Sequence, residues 1–260
     1  MSLPSPALVT QTAVRRLPRW PLLLLCAAYV LPGLFGRDPW RNADLAAFGR
    51  MAAMAEGRTS WWAPLLGGVA GDSAPLPHWL GAAAIALAQP LLGAPLAARL
   101  PFALLLVATM ALVWYSAFHL ARTEAAQPVA FAFGGQAEPV DYARAIADAA
   151  LLALIATLGL LQLGHETTPE LAQLAGVALF GYGLAAAPFR VARARAAVLV
   201  ALPVLAGSGA ATMALAMGLG GVAACAGSRL GWVQLPPPRR WRRSCWALGR
   251  SGPSCRRRTI

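Results

Sequence analysis

Long apolar runs separated by shorter polar loops constrain this chain more than any other feature. Residues 17–35, 100–120, 146–163 and 171–189 each approach the length of about 20 residues that a helix needs to cross a bilayer. Backbone groups in lipid must bond internally, so such runs form helices. The chain is 58% hydrophobic and 12% charged, whereas soluble domains carry about 25% charged residues. We therefore predict an all-α polytopic membrane protein embedded in a lipid bilayer.

A fifth apolar run, residues 196–226, is too long for one plain span. It contains Pro203, which disfavours a single straight helix, and the glycine-containing stretch 207–209, which is a plausible turn. We expect it to cross the bilayer twice as a hairpin. With the four runs above, this predicts about six transmembrane helices.

Arginine positions predict the orientation of these spans. Arg15, Arg16 and Arg19 precede the first run, and basic residues favour the cytoplasmic side. No small-x-small cleavage site follows that run, so we interpret it as an uncleaved anchor. Residues 1–16 are then a cytoplasmic N-terminus, and residues 36–98 form an outward loop.

The apolar segment 79–92 leaves two topologies open. If it crosses the bilayer, Arg190, Arg193 and Arg195 face outward. If it lies in the interface as a juxtamembrane helix, those arginines fall inside together with Arg122, as the charge rule requires. We favour the second topology, which places both termini in the cytoplasm.

The formal net charge of +12 describes mainly a C-terminal tail. Nine of the 22 arginines lie in residues 229–260, where there is no acid, and the chain has no lysine. We therefore predict no nucleic-acid partner. We divide the chain into a transmembrane module, 17–226, and a basic disordered tail, 227–260. The tail has the composition of a gene read out of frame; the alternative is a native tail that binds anionic lipid head groups.

The outward loops hold the candidate site. A carboxylate there can deprotonate an acceptor, arginines can hold a phosphate, and tryptophans can stack on a sugar or lie at head-group level. The candidate catalytic residues are Asp38, Asp44, Asp72 and Glu166, and the candidate substrate-binding residues are Arg41, Arg50, Arg99, Trp61, Trp79 and His165. The alternative is a generic polar loop, in which Asp44 caps a helix that ends before Gly57.

The spacing of these residues forms an ordered pattern. An acid is followed 17 residues later by a tryptophan, then by a Pro and a Leu-Gly pair, a second acid, an aromatic pair and an Ala-Arg-Leu-Pro sequence. These are Asp44, Trp61, Pro64, Leu66-Gly67, Asp72, His78-Trp79 and Ala98–Pro101, with the acidic stretch His165–Pro169 in the next outward loop. The pattern resembles the GT-C glycosyltransferases of the dolichyl-phosphate-mannose mannosyltransferase and lipid A aminoarabinose transferase type.

This resemblance implies transfer of a sugar from a polyprenyl-phosphate donor to an acceptor on the outer face of a membrane, here a bacterial inner membrane within the cell envelope. Asp44 would be the base, with Asp72 and Glu166 as supporting acids. Four positions depart from the family pattern: Ser73 and Ala74 replace a Lys-Pro pair, Ala47 replaces an arginine, and Leu45 replaces the glutamate that follows the first acid. Arg41 or Arg50 would then supply the missing cation.

Other functions stay open at this point. Members of this family continue through further spans, so the chain corresponds to an N-terminal half, and an inactive truncated remnant or another non-catalytic membrane protein is the alternative. A transporter fragment is disfavoured because Asp148 is the one acid within a predicted span. No cofactor is identified, and no spacing in the outward loops forms a recognisable metal site.

Overall fold

The computed structural model describes residues 8–14, 18–35, 38–39, 42–71, 74–129 and 134–231. This part of the chain is mostly helical, which confirms the all-α prediction. The helices are α1 (Arg19–Leu34), α2 (Asn42–Ala55), α3 (Pro75–Leu92), α4 (Ala94–Ala121), α5 (Pro139–Ile155), α6 (Leu158–Leu163), α7 (Pro169–Ala186), α8 (Val191–Gly207) and α9 (Ala211–Gly231). A two-stranded antiparallel hairpin joins β1 (Leu65–Leu66) to β2 (Val69–Ala70).

One helix in the described residues is long and apolar enough to cross a membrane, and it is α4. Shorter apolar helices lie at Arg19–Leu34 and Ala211–Ala223. The prediction of a membrane-spanning segment near residues 100–120 agrees with α4. The full set of about six spans is not supported by length and apolarity.

The chain divides into two compact units, residues 1–218 and 219–260. In the first unit α4 is central: it packs against α3, α5 and α7, and α7 packs against α8. The fully buried side chains of Met51, Ile85 and Leu106 place α2, α3 and α4 around one apolar core. In the second unit, the described residues are the C-terminal part of α9, which continues to Gly231, beyond the predicted module boundary at residue 226.

The bundle of the first unit has two ends with different chemistry. The Asp44 end contains the last turns of α1, the first turns of α4 and α7, and the end of α8, where the Gln173 side-chain amide donates to the Ser208 carbonyl oxygen at 2.7 Å. The His119 end contains the last turns of α4 and α7, where the rings of His119 and Phe189 stack at 5.4 Å. We use these two names below.

Helix α3 packs against α4 and, near its start, against the end of α8. There Leu76 lies so close to Gly207 that a Cβ on Gly207 would be 3.2 Å from the Leu76 Cβ. At its other end, Gly93, with φ of 76°, joins it directly to Ala94.

Two predicted spans have local structures that can be checked directly. The predicted turn within 196–226 is confirmed: α8 ends at Gly207, α9 begins at Ala211, and Gly209 between them has φ of 84°. A continuous helix over 146–163 is wrong, because α5 ends at Ile155 and α6 begins at Leu158. At the break, the Thr157 hydroxyl donates to the Leu154 carbonyl oxygen at 2.6 Å, a side-chain bond that competes with helix continuation.

The N-terminal segment lies against the loop that precedes α5. Thr10 forms an antiparallel bridge with Gln136. The Gln11 side-chain amide donates to Asp141 Oδ2 at 3.1 Å, and its carbonyl oxygen accepts from the backbone N–H of Glu138 at 2.6 Å. Residues 8–14 and the start of α5 thus lie on the same side of the bundle. The predicted topology assigns both to the cytoplasm.

Candidate functional site

Asp44 is the centre of the Asp44 end and is completely buried. It shares a buried face of α2 with Met51 and Met54, at the spacing that places side chains on one side of a helix. Its Oδ1 accepts two hydrogen bonds from Thr167, one from the backbone N–H at 2.8 Å and one from the hydroxyl at 2.7 Å. The predicted capping role is wrong: α2 begins at Asn42, and the carboxylate is used in a contact with a distant segment.

Arg99 is the cation nearest to this carboxylate. Its Nη2 lies 3.9 Å from Asp44 Oδ2, and the arginine side chain is 4% exposed. At that separation the two charges attract without forming a direct hydrogen bond. Burial of two opposite charges costs little only when each has a partner. Asp44 and Arg99 therefore depend on each other, and together they tie the start of α2 to the start of α4.

Glu166 is a second buried acid beside this pair. It precedes Thr167 in the loop before α7 and is 4% exposed. In the part of the chain that the structure describes, its Oε1 has no hydrogen-bond partner. An unsatisfied buried oxygen of this kind costs about 1–3 kcal/mol, and Asp44 Oδ2 in the same site also has no hydrogen-bond partner among the described residues.

A narrow pocket opens between α1, α4 and this loop. Its polar lining comes from Arg99, His165 and Glu166, and its apolar lining from Val30, Gly33, Leu34, Phe102, Ala103, Leu106 and Gly164. The pocket has room for about one water molecule. A hydroxyl group or a single phosphate oxygen fits such a space, whereas a sugar ring does not.

His165 closes one side of the pocket against α1. A nitrogen of its ring, Nε2, lies 2.9 Å from the carbonyl oxygen of Tyr29, and the two aromatic rings are 5.5 Å apart. The ring also occupies the space beside Gly33, where a Cβ would overlap it. His165 therefore anchors the loop that carries Glu166 to the end of α1.

The predicted tryptophans form a separate cluster at the start of α3. Trp79 donates its indole N–H to the carbonyl oxygen of Trp61 at 2.6 Å. Trp62 packs edge-on against Trp79 with ring centroids 5.2 Å apart, and it is 83% exposed. Exposed indoles can stack on other flat groups, such as the face of a sugar.

The remaining predicted residues divide into two groups. Arg50 lies on another face of α2 from Asp44, and its guanidinium occupies the space that a Cβ on Gly71 would need. Asp38 is exposed. Arg41 and Asp72 lie outside the described residues. Of the ten predicted site residues, the structure thus brings Asp44, Arg99, His165 and Glu166 together and shows Arg50 and the tryptophans elsewhere on the loop.

Three residues of this site were missed as functional candidates. Thr167 supplies both donors to Asp44, Tyr29 receives His165, and Gly33 leaves room for its ring. Thr167 had a usable signal, since it stands in the acid-containing stretch before a proline. Tyr29 and Gly33 had none, because both lie in an apolar run that reads as an ordinary span.

No metal centre is visible in this region. Among the described residues, no three His, Cys, Asp or Glu side chains group closely enough to hold a metal ion.

Comparisons with known proteins add no assignment to this geometry. No protein-family model matches the chain, and no curated protein or solved structure matches it.

Proposed function

We propose that this chain is the N-terminal part of a membrane glycosyltransferase that moves a sugar from a polyprenyl-phosphate donor to an acceptor. The observation that carries the proposal is the convergence of Asp44, Arg99 and Glu166, which come from three separate segments, at one buried site. These three segments are the ones whose spacing resembles the GT-C family. Two acids and an arginine in one water-poor site suit a reaction in which an acceptor loses a proton and a phosphate leaves.

The topology proposed for this activity has six spans, with the N-terminus in the cytoplasm and the Asp44 end on the outer face of a bacterial inner membrane. One feature supports it. The N-terminal segment contacts the start of α5, so these two elements share a side, as the topology requires.

We assign the base to Glu166 in preference to Asp44. Both hydrogen bonds to Asp44 come from Thr167 and occupy Oδ1, while Oδ2 faces Arg99 without a hydrogen bond. Glu166 lines the pocket and Asp44 does not; the Glu166 Oε1 has no hydrogen-bond partner among the described residues. Asp44 is then a positioning residue that holds Arg99 and the 165–168 loop in place.

The proposed step is a direct transfer of the sugar from the lipid phosphate to the acceptor. The acceptor oxygen bonds to the anomeric carbon of the sugar, its proton passes to Glu166, and the bond between that carbon and the donor phosphate breaks. The lipid phosphate leaves with the electron pair, and Arg99 lies at the same pocket to stabilise its charge. Because the pocket holds about one water molecule, the sugar itself would lie at its mouth, where Asp72, Arg41 and the tryptophan cluster stay predicted contacts.

The direct test compares Glu166, in the loop before α7, with Glu170, in the first turn of α7. Glu166→Gln should lower the release of radiolabelled undecaprenyl phosphate from undecaprenyl-phosphate mannose by about 100-fold or more, with donor binding retained. Glu170→Gln is the matched control, because Glu170 is exposed in the first turn of α7, and its rate should match the wild type. Unchanged release in Glu166→Gln removes this base. Failure of the wild-type chain to bind the donor overturns the proposed function.

A non-catalytic membrane protein is the second candidate, and the buried ion pair is the observation that favours it. A pair such as Asp44 and Arg99 can serve only to join helices. Donor binding separates the two candidates, since a purely structural site has no reason to prefer undecaprenyl-phosphate mannose over undecanol in the same micelles.

A further inference from the structure

The His119 end carries an ordered stack of aromatic rings that ends on an arginine. Trp114, Phe118 and Arg122 follow one another at four-residue spacing on α4, so they share a face of the helix. The Trp114 and Phe118 rings stack at 5.3 Å with an angle of 10° between them. The Arg122 guanidinium carbon lies 5.4 Å from the centroid of the Phe118 ring and 5.0 Å from that of Phe189.

This arrangement orients the Arg122 guanidinium and leaves its edge open. Contact with aromatic faces engages the flat surface of a guanidinium, whereas its N–H groups point outward in the plane as a fork. In the described part of the chain, no side-chain hydrogen bond or carboxylate partner engages Arg122. Arg122 therefore presents a fixed set of unused donors.

A second arginine adjoins the Phe189 ring that Arg122 contacts. Arg190 follows Phe189 directly in the chain, is exposed, and likewise pairs with no acid among the described residues. The His119 ring also stacks on Phe189; this side chain is 4% exposed and has an Nδ1 without a hydrogen-bond partner in the described residues. Two arginines without an acid, at one ring that also contacts a buried imidazole, form a site that an anion would stabilise.

The aromatic residues of α4 near this site indicate which anion would bind there. Trp114 and Tyr115 lie on α4 two turns before Arg122, and such aromatic residues concentrate at the level of the lipid head groups. We propose that Arg122 and Arg190 bind the phosphate of an anionic phospholipid in the leaflet at the His119 end, with the Phe118–Phe189 rings holding the Arg122 fork. This inference requires α4 to lie in a bilayer and is independent of glycosyl transfer.

The test measures lipid binding at this site separately from lipid binding by the basic tail. The full chain is placed in phosphatidylcholine nanodiscs that contain a small fraction of phosphatidylglycerol with a photoreactive head group. After irradiation, peptide mass spectrometry measures cross-links on the peptides around residues 118–122 and 186–195, with cross-links on the 232–260 tail as an internal reference. Arg122→Gln and Arg190→Gln should each lower the ratio of cross-links at this site to cross-links on the tail about fivefold.

Two further variants separate an oriented site from general attraction. Arg122→Lys keeps the charge and loses the planar fork, so its cross-linking should fall between that of wild type and Arg122→Gln. Arg58→Gln changes the same charge at the Asp44 end, where Arg58 pairs with Glu56, and should leave the ratio unchanged. Equal cross-linking in wild type and in the Arg122→Gln/Arg190→Gln double variant overturns the proposal. Displacement of the lipid by millimolar inorganic phosphate would overturn the lipid as ligand in favour of a soluble anion.

Discussion

The two ends of the bundle treat charge in opposite ways. At the Asp44 end, Asp44 and Arg99 are buried and paired across separate segments. At the His119 end, Arg122 and Arg190 are exposed and have no acid partner among the described residues. The contrast shows how location decides the partner. A charge removed from solvent needs a protein partner, whereas an exposed charge can be solvated by water.

The largest expected effect comes from breaking the buried pair. Arg99→Met keeps a side chain of similar length but leaves Asp44 as a buried charge without its cation. We expect the free energy of unfolding to fall by about 3–5 kcal/mol, measured by denaturant titration in mixed micelles. The control, Arg58→Met, breaks the exposed pair with Glu56 and should cost less than about 1 kcal/mol. Equal losses would show that burial does not distinguish these pairs.

The next effect concerns the contact that anchors the Glu166 loop. Gly33→Ala places a Cβ where the His165 ring lies, so the ring must shift from the Tyr29 carbonyl. We expect a loss of about 1–3 kcal/mol in the same titration. Gly181→Ala in α7 is the matched control, because no atom lies within 4 Å of its added Cβ. It should stabilise the protein by about 0.5–1 kcal/mol. A loss of stability in Gly181→Ala would contradict the explanation that overlap with the His165 ring causes the cost of Gly33→Ala.

A hydroxyl at each end sharpens the comparison further. Thr167→Val removes the buried 2.7 Å bond to Asp44 and should cost about 1–2 kcal/mol, because the carboxylate loses a donor. Thr123→Val removes a 2.7 Å bond of the same kind to the Leu120 carbonyl oxygen, but in an exposed position. Its cost should stay within about 0.5 kcal/mol. The measurement is the difference between the two variants in the denaturant concentration at the midpoint of unfolding, at one protein concentration.

The smallest effect is expected at the His119 end. Arg122→Gln loses the contacts with two aromatic rings, and we expect a stability change of about 0.5–1 kcal/mol. Arg193→Gln, at an exposed position in the first turn of α8, should change stability by less than about 0.5 kcal/mol. A loss of several kcal/mol in Arg122→Gln would mean that Arg122 is structural, like Arg99, and would remove the contrast between the ends.

Local features of this fold were predictable where one segment decides them. The turn between α8 and α9 follows from the glycine-containing stretch 207–209 within a run that is too long for one span, whereas Pro203 lies inside α8 and does not end it. Gly57 lies at φ of 71° just after α2, as expected of a residue that ends a helix. The break between α5 and α6 was not predicted, because hydropathy averages over 18 residues and does not register the single hydroxyl of Thr157.

The site was predictable only in part, for a related reason. Asp44, Arg99 and Glu166 each stood out through residue type and spacing, yet their roles depend on contacts across more than fifty residues of chain. Asp44 looked like a helix cap from its neighbours, and its carboxylate instead accepts from Thr167. Glu166 is distinguished by its place in the pocket beside Arg99, and a pattern of residues does not reveal which side chains a fold brings together.

By itself the sequence determined the helical class, the central apolar helix α4 and the residues from which a site could form. These follow from local properties: apolar length, arginine content and turn residues act within one segment. The tertiary structure alone decided that Asp44 pairs with Arg99, that Glu166 lines a pocket, and that Arg122 lies on two aromatic rings. Burial and hydrogen-bond satisfaction are shared by segments distant in the chain, so they are settled only when the helices pack.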